Sequence, residues 1–216
     1  HWSLQTMSSL TSDFSSNVTT EKIIAWQNRR EAFHAAAIDR INAFLEKNPG
    51  FSVDELEETA RRIHFENSSL SVKRSKLYRM ADSFNLAISG EVACRTGCAH
   101  CCSMITYIYE HEAKAMALAS GRTMTKVRFK HRDLVLESSK KYFGKPCPFL
   151  KQKRCSIYES RPIICRLHHS FNEDSRQCDT ALSRSEVLGI ATINPDIIEQ
   201  PYHDLNRDFQ PEEPWG

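Results

Sequence analysis

Four cysteines fall within nine residues, at Cys94, Cys98, Cys101 and Cys102, in a chain of 216 residues that has eight in all. Ligands two or three residues apart wrap readily around one ion or one face of a cluster. Disulfides matter most in small domains that lack an apolar core. Here the first 90 residues have no cysteine and enough apolar side chains to fold without staples. The run therefore predicts a metal centre rather than a disulfide framework.

Adjacent Cys101 and Cys102 constrain that centre further. Neighbouring side chains diverge by about 100° on a helix and point to opposite faces of a strand. The pair is hard to place on one small ion, so either the two serve neighbouring sites or one is not a ligand. Cys147, Cys155, Cys165 and Cys178 can close the site from the C-terminal side. All eight cysteines are thus candidate ligands, enough for two four-coordinate sites or one cluster with cysteines to spare. His168 and His169 follow Cys165 closely and are either substitute ligands or plain surface residues.

Charge is distributed unevenly. Residues 1–90 carry 11 basic and 11 acidic side chains, residues 91–170 carry 15 and 6, and residues 171–216 carry 3 and 10. Seven of the eight cysteines lie in the basic segment. Zinc or a cubane cluster with four thiolates carries about −2, which nearby Arg and Lys stabilise. Neutralisation of such a site is preferred over a nucleic-acid partner, and the acidic end can fold back over the basic face. No apolar run approaches the roughly 20 residues that span a bilayer. No charged n-region followed by an apolar h-region is visible, so a cytoplasmic setting is expected.

Hydrophobic periodicity places the helices. Ile23, Trp26, Phe33, Ala37, Ile41 and Phe44 recur at helical spacing over 21–47, and Asn48-Pro49-Gly50 stops them. Ser52 with Glu55 forms a capping-box pattern that opens a second helix through about residue 65. A third is expected over about 72–89, with Gly90 as its stop. After the cysteine run, 103–109 is β-branched and aromatic and reads as a short strand, and 110–120 as a helix closed by Gly121. A further helix is expected over about 127–141. Residues 148–150 and 156–158 read as a hairpin around the polar turn 151–154, with Pro162 opening a helix. The last 25 residues hold four prolines and read as an irregular wrapping tail.

The spacing C-x3-C-x2-C of Cys94, Cys98 and Cys101 also matches the cluster loop of radical S-adenosylmethionine enzymes. That architecture needs several βα units and glycine-rich turns. Only 114 residues follow Cys102, and the whole chain has seven glycines. The spacing is therefore not read as radical chemistry.

Read together, Cys101-Cys102, Cys147-Pro148-Phe149-Leu150, Cys155-Ser156-Ile157-Tyr158-Glu159, Arg161-Pro162 and Cys165-Arg166 form a recognisable series. It resembles the YkgJ-type cysteine-cluster family, a zinc- or iron-chelating CxxCxxCC domain, over roughly residues 91–180. Glu112-Ala113 looks like the acidic helix start found there. The first gap holds three residues where the family name implies two, and a one-residue bulge absorbs it. The resemblance implies a metal binder of bacterial cytoplasm with eight ligating cysteines. A similar cysteine domain occurs in flagellin lysine methylases, which combine an iron–sulfur cluster with S-adenosylmethionine-dependent methyl transfer.

The fold expected is mainly α, a helical bundle with a small cysteine-rich metal-binding module containing a short β-hairpin. Its parts are a flexible arm over 1–19, the bundle over 20–90, the module over 91–180 and an acidic, Pro-containing tail over 181–216. Arg161 and Arg166 either donate to cluster sulfurs or to a carboxylate such as Glu159, or form structural salt bridges. Tyr158 is expected in the core. Glu112 is read first as a helix N-terminal charge, then as a metal ligand or general base. No catalytic residue is assigned. The expected function is to hold an iron–sulfur cluster, of the 4Fe–4S type, or zinc, in a redox or auxiliary role with a possible protein partner. The rivals are an iron–sulfur S-adenosylmethionine-dependent protein lysine methyltransferase and a zinc-stapled adaptor for protein or nucleic acid.

Overall fold

The longest periodic segment of the sequence forms the longest helix, α1 (Thr20–Lys47), but only its C-terminal half buries side chains, at Ala37, Ile41 and Phe44. In this computed structural model, which describes residues 19–124, 137–183 and 185–206, Ile23 is 40% exposed and Trp26 and Phe33 are half-buried. Trp26 Nε1 donates to the Val187 carbonyl at 3.2 Å, and Arg40 donates twice to the Phe171 carbonyl. The outer half of α1 thus braces later loops instead of joining the core. Gly189 lies under this brace with φ +99°, and a Cβ there would stand 3.3 Å from His34 Nε2.

Asn48 ends α1, its side-chain amide donating to the Phe44 carbonyl at 2.9 Å. Helix α2 (Val53–Phe65) opens where Ser52 Oγ accepts the Glu55 N–H, and buries Leu56, Ala60 and Ile63. Ser69 caps α3 (Leu70–Ala87) in the same way and Leu77, Ala81 and Phe84 face inward. Such caps satisfy otherwise unpaired N–H groups of the first turn. The expected stop at Gly90 is not used. The helix ends at Ile88, and turn bonds from Ser89 to Leu86 and from Glu91 to Ile88 satisfy the last carbonyls without a left-handed residue. Gly121 does act as expected, closing α4 (Glu110–Ser120) with φ +67°.

Residues 103–109 do not form the expected strand. A 3-10 turn at His100–Ser103 leads into unpaired chain, with Tyr107 and Ile108 on the surface. β-propensity measures fit to a pleated, half-buried surface, and among the described residues no strand lies alongside to provide one. The hairpin does form, but closer to its turn than expected. β1 (Leu150–Lys151) pairs antiparallel with β2 (Arg154–Cys155), and Gln152 and Lys153 both have positive φ, as a two-residue type I′ turn requires. Tyr158 lies beyond β2 in a 3-10 turn and is 55% exposed, not in the core. The helix expected over about 127–141 falls mostly outside the described residues, and residues 137–139 are helical. The expected arm over 1–19 likewise falls outside them apart from Thr19.

Pro162 caps the short α5 (Ile163–Leu167), and α6 (Asp196–Asp204) replaces the expected irregular tail. Ile197, Ile198, Tyr202 and Leu205 are buried there despite Pro201 inside the helix. Their apolar spacing outweighs the amide donor that proline lacks. One core cluster joins Phe44, Leu77 and Phe84 to Leu167, Phe171 and Tyr202, so the N-terminal helices and the chain after residue 162 share it. Among the described residues of 94–161, only Glu112, Met116 and Ile157 are buried. Among the described residues no helix is long and apolar enough to cross a membrane.

Candidate metal centre

Gly97, with φ +94°, turns the chain between the first two cysteines, and the Cys98 N–H donates to the Arg95 carbonyl at 2.9 Å. This turn accommodates the third residue of the C-x3-C gap. The 3-10 turn that follows sets Cys101 and Cys102 side by side, and the Cys101 thiol donates to Cys102. That bond pulls Cys102 down to about 7. The same bond, followed by burial, pushes Cys101 well above the ordinary thiol range. The pair therefore holds one proton unequally, the thiolate favoured at Cys102.

Backbone bonds sort the other cysteines into two neighbourhoods. The Ala93 N–H donates to the Ser170 carbonyl at 2.8 Å, bringing the start of the run against the chain after α5. Cys94 and Cys178 both hydrogen-bond Ser170, and Cys178 lies within electrostatic reach of Cys94 and Cys98. At the other end, the Cys147 N–H donates to the Cys102 carbonyl at 2.7 Å, and the Gly144 N–H to that of Ser103 at 2.9 Å. Cys165, from α5, lies within reach of Cys147, Cys102 and Cys155. Cys101 reaches both ways, towards Cys165 and Cys94.

All eight cysteines are free thiols. Burial pushes up the thiols of Cys94 and Cys147, and raises Cys178 to about 11 and Cys165 to about 12. Cys165 is exposed as a residue, yet partial burial of its thiol is the main cause of its rise, followed by Cys147, Cys102 and Cys155. Metal binding to such groups releases protons. Among the described residues, no three Cys, His, Asp or Glu side chains converge tightly enough to chelate one ion as they stand.

The donor set nonetheless fits a thiolate-held metal. Arg161 stacks on Tyr158 at 3.8 Å, contacts Asp82 at 3.5 Å and offsets a small part of the rise that burial and the neighbouring thiols impose on Cys165. Its Nε is buried without a hydrogen-bond partner. A buried N–H beside a thiol is satisfied by a thiolate or a cluster sulfide. Arg166 has no such freedom, because it pairs with Asp82 and donates to the backbone carbonyls of Arg161 and Glu159. Its salt-bridge reading therefore holds, and it meets the backbone of Glu159, not the carboxylate.

His169 belongs to the core, edge-on to Phe84 and Phe171 with Nε2 against Thr192 Oγ1 at 2.8 Å. Burial lowers it to about 4. His168 is half-buried with its Nε2 unpartnered. Glu112 plays a larger part than its sequence reading assigned. It is 2% exposed, and its Oε2 accepts the Tyr109 N–H, completing a cap on α4. Its Oε1 accepts from the Tyr78 and Tyr202 hydroxyls and the Ile163 N–H, tying α3, α5 and α6 together. Four donors occupy this carboxylate, which makes it a structural hub. Tyr78 and Tyr202 carried no sequence signal for this role, Tyr78 lying in an expected helix and Tyr202 in the expected irregular tail.

Residues 93–182 match the family model CxxCxxCC, described as a "Putative zinc- or iron-chelating domain". This span is similar to the CxxCxxCC domain. It contains all eight cysteines and both of their neighbourhoods, so the metal-binding expectation rests on the domain as a whole. Comparison with curated proteins and with solved structures gave no match.

Proposed function

We propose that the CxxCxxCC domain holds a 4Fe–4S cluster through cysteine thiolates and serves as a redox or auxiliary centre. The observation that carries this reading is the gathering of eight free thiols within residues 93–182, in two electrostatic groups that meet at Cys101. The unpartnered Arg161 Nε and the basic charge of 91–170 support an anionic cluster with sulfides to accept hydrogen bonds. Free thiols also suit a reducing, cytoplasmic setting. An iron–sulfur cluster supplies one-electron transfer when bound. The chain's own part is to supply thiolates, orient them and place Arg161 beside Cys165.

Zinc is the second reading. It is favoured by the tight hairpin, which brings Cys147 and Cys155 from either side of a two-residue turn, as zinc ribbons do. Anaerobic purification with an absorption spectrum and metal analysis separates the two. A brown protein absorbing near roughly 400 nm, with iron and sulfide, supports the cluster. A colourless protein with stoichiometric zinc overturns it in favour of zinc, and a protein with neither metal removes both readings.

A further inference from the structure

We infer that the domain carries two metal subsites, one on Cys94, Cys98, Cys101 and Cys178 and the other on Cys102, Cys147, Cys155 and Cys165. This inference rests on the metal-binding reading above and says how the eight thiols are shared. The first division comes from the backbone. The Ala93–Ser170 bond fixes Cys94 beside the chain that carries Cys178, while the Cys147–Cys102 bond fixes Cys102 beside the hairpin. Cys155 sits opposite Leu150, and Leu150 lies three residues after Cys147, so the hairpin delivers the two cysteines together. Electrostatic neighbours follow the same division: Cys178 meets Cys94 and Cys98, while Cys165 meets Cys147, Cys102 and Cys155.

Cys101 and Cys102 are the boundary. Successive Cβ directions in a tight helical turn diverge by roughly 100–120°, yet the Cys101 thiol lies against Cys102 and donates to it, so the pair is the seam at which the two sets touch. Cys102 is committed to the hairpin side by its own carbonyl and its neighbours. Cys101 meets Cys102 and Cys165 ahead of Cys94, so it touches both sets; its place on the loop that supplies Cys94 and Cys98 assigns it to the first. Each subsite then has four thiolates, and no cysteine is left over. Two such sites carry about −4 in all, against the 15 basic and 6 acidic residues of 91–170.

The test uses the full chain purified anaerobically, in wild-type form and as Cys155→Ser and Cys178→Ser. Metal per chain is measured together with cysteine alkylation read by mass spectrometry. Two subsites predict that each variant keeps half of the wild-type metal, whichever metal it is. In Cys155→Ser the protected cysteines should be Cys94, Cys98, Cys101 and Cys178. In Cys178→Ser they should be Cys102, Cys147, Cys155 and Cys165. One variant losing all metal while the other keeps all, or both losing all with helical circular dichroism intact, overturns the inference. Should the variants fail to fold, graded chelation of the wild type decides: two phases of release exposing the two sets in turn support it, and one phase exposing all overturns it. Wild-type protein without metal fails the metal-binding reading itself, whereas metal held as a single site fails only the division into two.

Discussion

Between residues 37 and 88, buried apolar side chains recur with every turn or two of helix, from Ala37 and Phe44 through Leu56 and Ile63 to Leu77 and Ile88. Among the described residues of 94–161 only Glu112, Met116 and Ile157 are buried, and the six cysteines there lie in the run 94–102 and about the hairpin. The first region is held by removing apolar surface from water, which needs no ligand. The second has turns, a two-residue hairpin and a carboxylate hub, too little to offset the entropy of ordering it. The difference teaches that metal bonds must supply in one region what packing supplies in the other.

The sharpest way to break that contrast is to remove the metal. Structural metal sites contribute on the order of 10 kcal/mol to small domains. Chelation under reducing conditions should raise amide hydrogen exchange steeply over 94–104 and 144–160 while α2 and α3 stay protected. Equal loss of protection in both regions would show that packing alone never distinguished them. The reverse experiment is Phe44→Ala. Phe44 is 1% exposed and meets Phe51, Phe84 and Phe171, so truncation should cost about 3–5 kcal/mol in urea unfolding. Metal content of the folded variant should stay at the wild-type value, and its loss would mean that the two regions stand or fall together.

A smaller effect sharpens the boundary between them, through His169. Burial lowers this ring from 6.5 to about 4, so it is neutral in the fold and takes up a proton first in the unfolded chain. Its contribution is complete above about 6.5 and is lost as pH falls towards about 4. Urea midpoints should therefore fall by an amount worth on the order of 2 kcal/mol between about pH 7 and about pH 5. His169→Phe should flatten that part of the slope. An unchanged slope would place the acid sensitivity with the thiolates instead.

Much of this architecture was legible in local pattern. Ser52 and Gly121 announce helix ends by chemistry that acts within a single turn, and they sit where the pattern put them, whereas α3 starts two residues before its expected place, at the cap Ser69. Gly90 failed because turn bonds around Ser89 made a left-handed stop unnecessary. α6 was hidden by Pro195 and Pro201, whose local preference the burial of Tyr202 overrides. The segment 103–109 was misread because a strand depends on a neighbour that no local composition reveals. The cysteines were legible as a set through their spacing. Their division was not, because Ser170 reaches Ala93 and Cys102 reaches Cys147 only through tertiary contacts. The four-donor environment of Glu112 likewise draws on four separated segments.

Asp82 sits on α3 and pairs with Arg166, the residue that follows Cys165. One buried guanidinium therefore moors the residue after Cys165 to a helix with no cysteine of its own. At this point the cysteine-rich chain is anchored to the packed half by a charge pair, so the anchor is set by α3 and does not depend on what the thiols hold.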